Sequence, residues 1–173
     1  MVHYRRARIA GGTYFFTVAL RDRRADTLVR HVGLLRQALR CVQTARPWRT
    51  DAMVVMPDHL HALWTLPDLD SDYAGRWRAV KSRFVRSLRQ AGVGVRSNAK
   101  GEADVWQRRF WEHLIRDEED FARHVEYIHF NPVKHGHVAH VADWRWSTFH
   151  RYVRQGWLSR DWASSGIEGS FGE

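Results

Sequence analysis

A chain of 173 residues, 44% hydrophobic and 13% aromatic, is long enough for one packed domain and too short for two, and its composition excludes a disordered chain. With 28 Lys and Arg against 19 Asp and Glu, the net charge of +9 points to an acidic polymer as partner, most simply nucleic acid. No apolar run approaches a bilayer span, no signal-type region precedes Gly11-Gly12, and the single cysteine, Cys41, excludes an intrachain disulfide and a cysteine-rich zinc site. A cytoplasmic protein with no membrane partner is expected.

Tyr4-Arg5-Arg6-Ala7-Arg8 forms a basic arm ahead of a first predicted strand, Thr13 to Leu20, whose β-branched and aromatic residues suit a pleated sheet. Arg5, Arg6 and Arg8 beside Tyr4 suit phosphate contact with a stacking ring nearby, or equally a solvated tail. Arg21, Arg23 and Arg24 extend that basic end. Leu28, Val32, Leu35, Leu39 and Val42 recur at helical spacing and predict a helix from about Asp26 to about Ala45, stopping before Pro47. A second strand, about Arg49 to Met56, turns through Pro57-Asp58 into a third that carries His59 and His61, making an antiparallel hairpin.

Asp70 and Ser71 offer N-caps for a second helix with Tyr73, Trp77, Val80, Phe84 and Leu88 on its apolar face. Between Ala74 and Gly101 no acidic residue occurs, whereas Arg76, Arg78, Lys81, Arg83, Arg86, Arg89, Arg96 and Lys100 are all present. Solvated faces normally mix signs, so this one reads as a phosphate-tracking surface. The glycine-rich piece from Ala91 to Gly101 reads as a loop. Val105 to Arg116 contains a fourth strand, with Trp106, Phe110 and Trp111 for packing or stacking. Asp117 caps a third helix with Glu118, Glu119 and Asp120 in its first turn, and Pro132 kinks or ends it, leaving room for one further turn before Gly136. A short helix around Ser147 to Arg154 follows. The expected organisation is one domain over residues 1–158 and a polar, mobile tail over 159–173. Strand, helix, strand, strand, helix, strand, helix is the ferredoxin-like βαββαβ order with an added helix: an α+β fold with an antiparallel sheet.

His59, His61, Leu63 and Thr65 share one strand face, while Leu60, Ala62, Trp64 and Leu66 take the other, which reads as core. Two imidazoles on one strand face can chelate a divalent metal, or be a pair of ordinary structural histidines, and the pattern needs partners to decide. On the third helix Phe121, Val125, Ile128 and Pro132 fall near one meridian, and Tyr127 lies about 120° away from it with Asn131 a turn further on and Lys134 beyond. A half-buried tyrosine at the core edge is one reading. The other is metal-assisted attack on a phosphodiester: His59 and His61 hold Mg²⁺ or Mn²⁺, Asn131 adds an oxygen ligand, and Tyr127 attacks phosphorus, helped to ionise by the ion, Lys134 or a water-mediated base. The product is a 5′-phosphotyrosine and a free 3′-hydroxyl, and the reversal of that step onto another hydroxyl is strand transfer.

Met56-Pro57-Asp58-His59-Leu60-His61, Arg109-Phe110-Trp111-Glu112-His113 and the run from Tyr127 to Gly136 closely resemble the REP-associated tyrosine transposases, bacterial members of the single-tyrosine HUH nuclease superfamily. The likeness extends to Tyr4-Arg5-Arg6 with Gly11-Gly12-Thr13, to Arg21-Asp22-Arg23-Arg24 and to Trp146-Ser147-Thr148-Phe149-His150-Arg151, and so covers most of the chain up to about Trp162. It implies the HUH nuclease fold with the tyrosine on the added C-terminal helix, His59 and His61 as the metal pair, Tyr127 as nucleophile, and Asn131 as the helix-borne ligand where the wider superfamily has glutamine. It implies action as a monomer on single-stranded DNA carrying repetitive extragenic palindromes, with recognition of a hairpin and a short tetranucleotide at its foot. By the same analogy Arg5, Arg6, Arg8, Arg21, Arg23, Arg24, Arg78, Lys81, Arg83, Arg86 and Lys134 hold the DNA, and the protein joins the nucleoid when bound. Two rivals remain at this stage: a non-catalytic DNA-binding regulator on the same fold, and a metal hydrolase of small phosphate esters.

Overall fold

A computed structural model describes residues 8–163, so Arg5 and Arg6 of the basic arm and the end of the C-terminal tail lie outside the described residues. In chain order the elements are β1 (Thr13–Ala19), α1 (Thr27–Arg30), α2 (Val32–Ala45), β2 (Arg49–Val55), β3 (His59–Thr65), α3 (Tyr73–Gln90), β4 (Trp111–Leu114), α4 (Glu118–Lys134) and α5 (Phe149–Arg154). The four strands pair antiparallel in the order β2-β3-β1-β4, as a βαββαβ chain requires when the β2-β3 hairpin inserts its second strand beside β1.

Strand alternation divides the core. Tyr14, Phe16, Val18, Leu60, Ala62 and Trp64 face α2 and α3, where Trp64 stacks on Trp77 with ring centroids 4.0 Å apart. Phe15, Ala52, Val54 and Leu63 face the other way and are covered by Val125 and Ile128 of α4 and Tyr152 of α5. The histidines of β3 therefore lie on the α4 side, and α3 lies behind the sheet from them.

Several expectations are corrected. The single helix expected from Asp26 to Ala45 is two, interrupted at His31 (φ −115°, ψ 32°), and the start of the first piece is tied to the β2-β3 turn by the Leu28 N–H, which donates to the Pro57 carbonyl. The cap of α3 is Asp72, not Asp70 or Ser71; its carboxylate accepts from the Gly75 N–H at 2.8 Å, and a Cβ at Gly75 would sit 2.2 Å from that carboxylate. The fourth strand occupies only Trp111–Leu114 of the stretch expected to contain it, and α4 does not end at Pro132 but runs on to Lys134, with Gly136 (φ +70°) left-handed just beyond it. Past α4, Trp146 and Thr148 bond the backbone of Val55 and Met53 and so cover the outer edge of β2.

Arg76, expected on the basic surface, is 1% exposed. Its guanidinium donates to the carbonyls of Arg46, Pro47 and Asp72 and to Asp70 Oδ2 at 2.7 Å, joining the α2-β2 connection to the start of α3. That bond holds the Asp70 carboxyl down at about 2. Arg76→Ala leaves three carbonyls without their donor and is expected to destabilise the protein by about 3 kcal/mol in chemical denaturation, against about 1 kcal/mol or less for Asp70→Asn, whose side chain is partly in water.

Candidate active site

The β1-β3 register pairs Ala19 with His59 and Thr17 with His61, and β3 is an inner strand, so both imidazoles are held in a fully paired ladder. Each is only 4% exposed and their ring centroids are 4.9 Å apart. His59 Nδ1 lies 2.8 Å from Asp58 Oδ1; an ionised carboxylate only accepts, so Nδ1 carries the proton and Nε2 keeps its lone pair. Burial pushes Asp58 up, but hydrogen bonds and charge from His59 and Arg23 outweigh it and hold the carboxyl below its ordinary value. His61 Nδ1 lies 2.9 Å from Thr17 Oγ1 across the strand pair.

One side of α4 meets this row. Asp120, His124, Tyr127 and Asn131, at i, i+4, i+7 and i+11, fall within about 60° of one another around the helix. Tyr127 is half-buried and its ring centroid is 5.1 Å from that of His61; Phe15, stacked on His61 at 5.3 Å, touches the same tyrosine edge-on at 5.8 Å. Asn131 is fully buried beside His59. Apart from its closeness to His59, neither polar atom of its carboxamide makes a well-formed hydrogen bond among the described residues, and neither does His61 Nε2. Such orphans each cost about 1–3 kcal/mol, and two of them, His61 Nε2 and Asn131 Oδ1, are acceptors that fit a group able to take a ligand. Lys134 completes the side, its ammonium 5.0 Å above the Tyr127 ring, and His135 packs against His59 at 5.4 Å.

Burial lowers the pKa of both histidines. For His59 the neighbouring Asp58 partly opposes the shift, while for His61 the positive charge of His59, His135, Lys134 and Arg23 adds to it and carries the group well below the ordinary 6.5. Both rings are therefore neutral near pH 7, the form that ligates metals.

A second group lies at the other end of the same helix side. The ligand atoms of His113, Asp120 and His124 are within 4.8 Å of one another. Here the donors satisfy each other: Asp120 Oδ2 takes His113 Nε2 at 2.8 Å and the Arg116 N–H at 3.0 Å, and His124 Nδ1 lies 2.7 Å from the Asp120 carbonyl. This group suits a hydrogen-bonded brace between β4 and α4, whereas the unpartnered acceptors His61 Nε2 and Asn131 Oδ1 suit a cation.

An Escherichia coli K12 protein named REP-associated tyrosine transposase is 46% identical over 173 residues, covering 100% of this chain and 98% of its own. The chain belongs to the REP-associated tyrosine transposases. A Haemophilus influenzae Rd protein named for the same family is 42% identical, covering 95% of each chain. The solved structure of a REP-associated tyrosine transposase bound to a REP hairpin superposes with a TM-score of 0.85 at 45% identity, over 100% of this chain and 98% of that one. A Deinococcus radiodurans structure at 20% identity and a TM-score of 0.50, over 73% of this chain and 95% of that one, shares the fold alone. No family model matches. Like its relatives, the chain is an enzyme of the tyrosine transposase type.

In this transposase the structure brings together His59, His61, Tyr127, Asn131 and Lys134, and adds Arg23, whose Nε donates to Asp58 Oδ2 while half the side chain stays in water. Arg21 pairs with Asp104 at 2.9 Å and lines, with Lys81 and Arg86 of α3, a groove of about 740 Å³ on the far side of the sheet. Lys81 is tied to the Gln107 carbonyl and lies over the rings of Trp106 and Phe110. Arg8, Arg24, Arg78 and Arg83 are exposed. Among the described residues no helix is long and apolar enough to cross a membrane.

The residues that sequence reasoning missed are Asp58 and Thr17, which fix the imidazoles, and His124 and Asp120, which extend the tyrosine's side of α4. The i, i+4, i+7, i+11 spacing of those polar residues was the available signal; for Thr17 there was none, since only register places it. Below pH 6.5 the unfolded chain takes up protons that folded His61 and His129, the latter held down at about 3 by burial, refuse. Stability contributed by these rings is thus full above about pH 6.5 and falls with further acidification. In metal-free protein their ring resonances should remain those of the neutral form at pH 6 in an NMR titration, and the melting temperature should drop from pH 7.5 to pH 5.5.

Proposed function

We propose that this transposase is a metal-dependent endonuclease and strand transferase of single-stranded DNA, acting on repetitive extragenic palindrome hairpins through a covalent 5′-phosphotyrosine at Tyr127. The observation that carries the reading is the contact of Tyr127 with His61, ring centroids 5.1 Å apart, next to a buried carboxamide whose polar atoms make no well-formed hydrogen bond among the described residues. The relative bound to a REP hairpin supports the choice of DNA.

His59, His61 and Asn131 are the residues that would hold Mg²⁺ or Mn²⁺, through two imidazole nitrogens and an amide oxygen, in the manner of an HUH motif. Bound there, the ion supplies charge that polarises the phosphoryl oxygen. Tyr127 Oη attacks phosphorus: the phosphotyrosine bond forms, the bond from phosphorus to the 3′-oxygen of the upstream nucleotide breaks, and the proton given up by the phenol is balanced by one gained at that oxygen. A phosphodiester-like bond is kept throughout, so a different 3′-hydroxyl attacking the same phosphorus releases the phenol and joins a new strand. Lys134 adds a positive charge beside the tyrosine, where it offsets charge building on the phosphate. Arg23, with half its side chain free, offers its remaining N–H groups to the strand.

The loop after β1 links the two basic regions, since Arg23 reaches His59 while Arg21 lines the α3 groove. Arg78, Lys81, Arg83 and Arg86 on that side, with Arg24 and the arm at Arg5, Arg6 and Arg8, take the backbone of the hairpin. The protein acts as a monomer in the cytoplasm and is nucleoid-associated when bound.

The test is a labelled hairpin oligonucleotide with single-stranded flanks, incubated with Mn²⁺ and resolved under denaturing conditions. The parent is expected to form a covalent adduct; Tyr127→Phe forms none and cuts at least ~1,000-fold more slowly while its affinity stays within about three-fold. Chelation or His59→Ala removes cutting. No adduct with the parent, or parental cutting by Tyr127→Phe, overturns the mechanism, and tight salt-sensitive binding indifferent to chelator would then mark a non-catalytic DNA-binding protein. If Thr17 accepts from His61 and so keeps Nε2 unprotonated, Thr17→Val weakens Mn²⁺ affinity about 10–100-fold in calorimetric titration, with little change in melting temperature.

A further inference from the structure

We propose that Trp111 is a stacking platform that takes, face to face, the nucleobase adjoining the phosphate attacked by Tyr127. The inference rests on the function proposed above and adds a binding residue that neither the histidine pair nor the tyrosine motif supplies.

The register places it. Trp111 pairs with Thr17, and Thr17 pairs with His61, so the three side chains form one row across β4, β1 and β3 on the face that α4 shares. Two strand spacings put Trp111 about 10 Å from His61, within reach of the nucleotide next to a phosphate at Tyr127. Unlike the other large rings of that face it is open, with 52% of its surface exposed. An indole left in water on a chain of net charge +9, beside a site for a polyanion, is the combination that single-stranded nucleic-acid surfaces use: a ring for the base and cations for the backbone. Arg109, two residues before it on the chain, and Arg116, two residues past the end of β4, are exposed.

The ring is also braced, which lowers the entropy lost on stacking. Phe15 meets it edge-on at 5.7 Å and itself touches both His61 and Tyr127, so one side chain links platform and nucleophile. His113 lies parallel to it at 6.0 Å and 7°, and His124 stacks behind His113 at 4.8 Å. Asp120, 2.8 Å from His113 and 3.2 Å from His124, pins both imidazoles, and its own N–H donates to the cap residue Asp117. The His-Asp-His group thereby gains a purpose without a metal: it holds the stack. Because every base has a π-face, Trp111 positions the strand without selecting its sequence.

The experiment measures affinity in a Tyr127→Phe background, where cutting does not intervene, for REP hairpin oligonucleotides carrying single-stranded flanks and a single abasic site moved through them. Trp111→Ala is expected to weaken binding of the intact strand about ten-fold, and Trp111→Tyr to stay within about three-fold. At one flanking position the abasic site should cost the Trp111 protein the same factor and cost Trp111→Ala nothing further. Equal affinity for Trp111→Ala and its parent, or a loss that is the same at every abasic position, overturns the proposal; the second pattern means a structural effect of the substitution. Failure of the parent to form an adduct would instead remove the covalent mechanism and leave this affinity result to stand or fall separately.

Discussion

The chemistry of this fold depends on one packing constraint: α4 lies across the sheet so that Asp120, His124, Tyr127 and Asn131 descend onto the strand row containing Trp111, Thr17 and His61. The apolar positions of the same helix, Val125 and Ile128, seal against Ala52, Val54 and Leu63. That seal supports the burial of the Asn131 amide and of His61 Nε2, which make no well-formed hydrogen bond in the described chain. A helix rotated by one residue, about 100°, would carry Tyr127 off the histidines.

Electrostatics around the row follow from the same burial. His59, His61 and His135 are all driven toward their neutral forms, chiefly by loss of water, while Asp58 is kept ionised by His59 and Arg23. The site thus holds few permanent charges of its own, and the positive ones, Lys134 and Arg23, sit at its margins. A neutral nitrogen-and-amide pocket ringed by cations suits a divalent ion together with a phosphate better than either alone, since each offsets the other's charge.

The basic surface divides into unlike parts. Arg76 is a structural residue that joins elements through carbonyls. Lys81 is held over two rings, whereas Arg78, Arg83 and Arg86 stay in water behind the sheet. The loop after β1 is where the two sides of the molecule meet, with Arg21 on the α3 groove and Arg23 beside His59.

The sequence by itself determined the element order, the antiparallel sheet, the two faces of β3 and the separation of Tyr127 from the apolar stripe of its helix, because periods of 2 and 3.6 residues are local properties of the chain. It also marked His59, His61, Tyr127 and Asn131, whose motifs are short and contiguous. Only the tertiary structure decided that Arg76 is buried, that Thr17 and Asp58 hold the imidazoles, and that Trp111 is open while Trp106 is half covered. Those outcomes turn on cross-strand register and on which helix covers which face, and both are set by contacts between residues far apart in the chain, which no local pattern encodes.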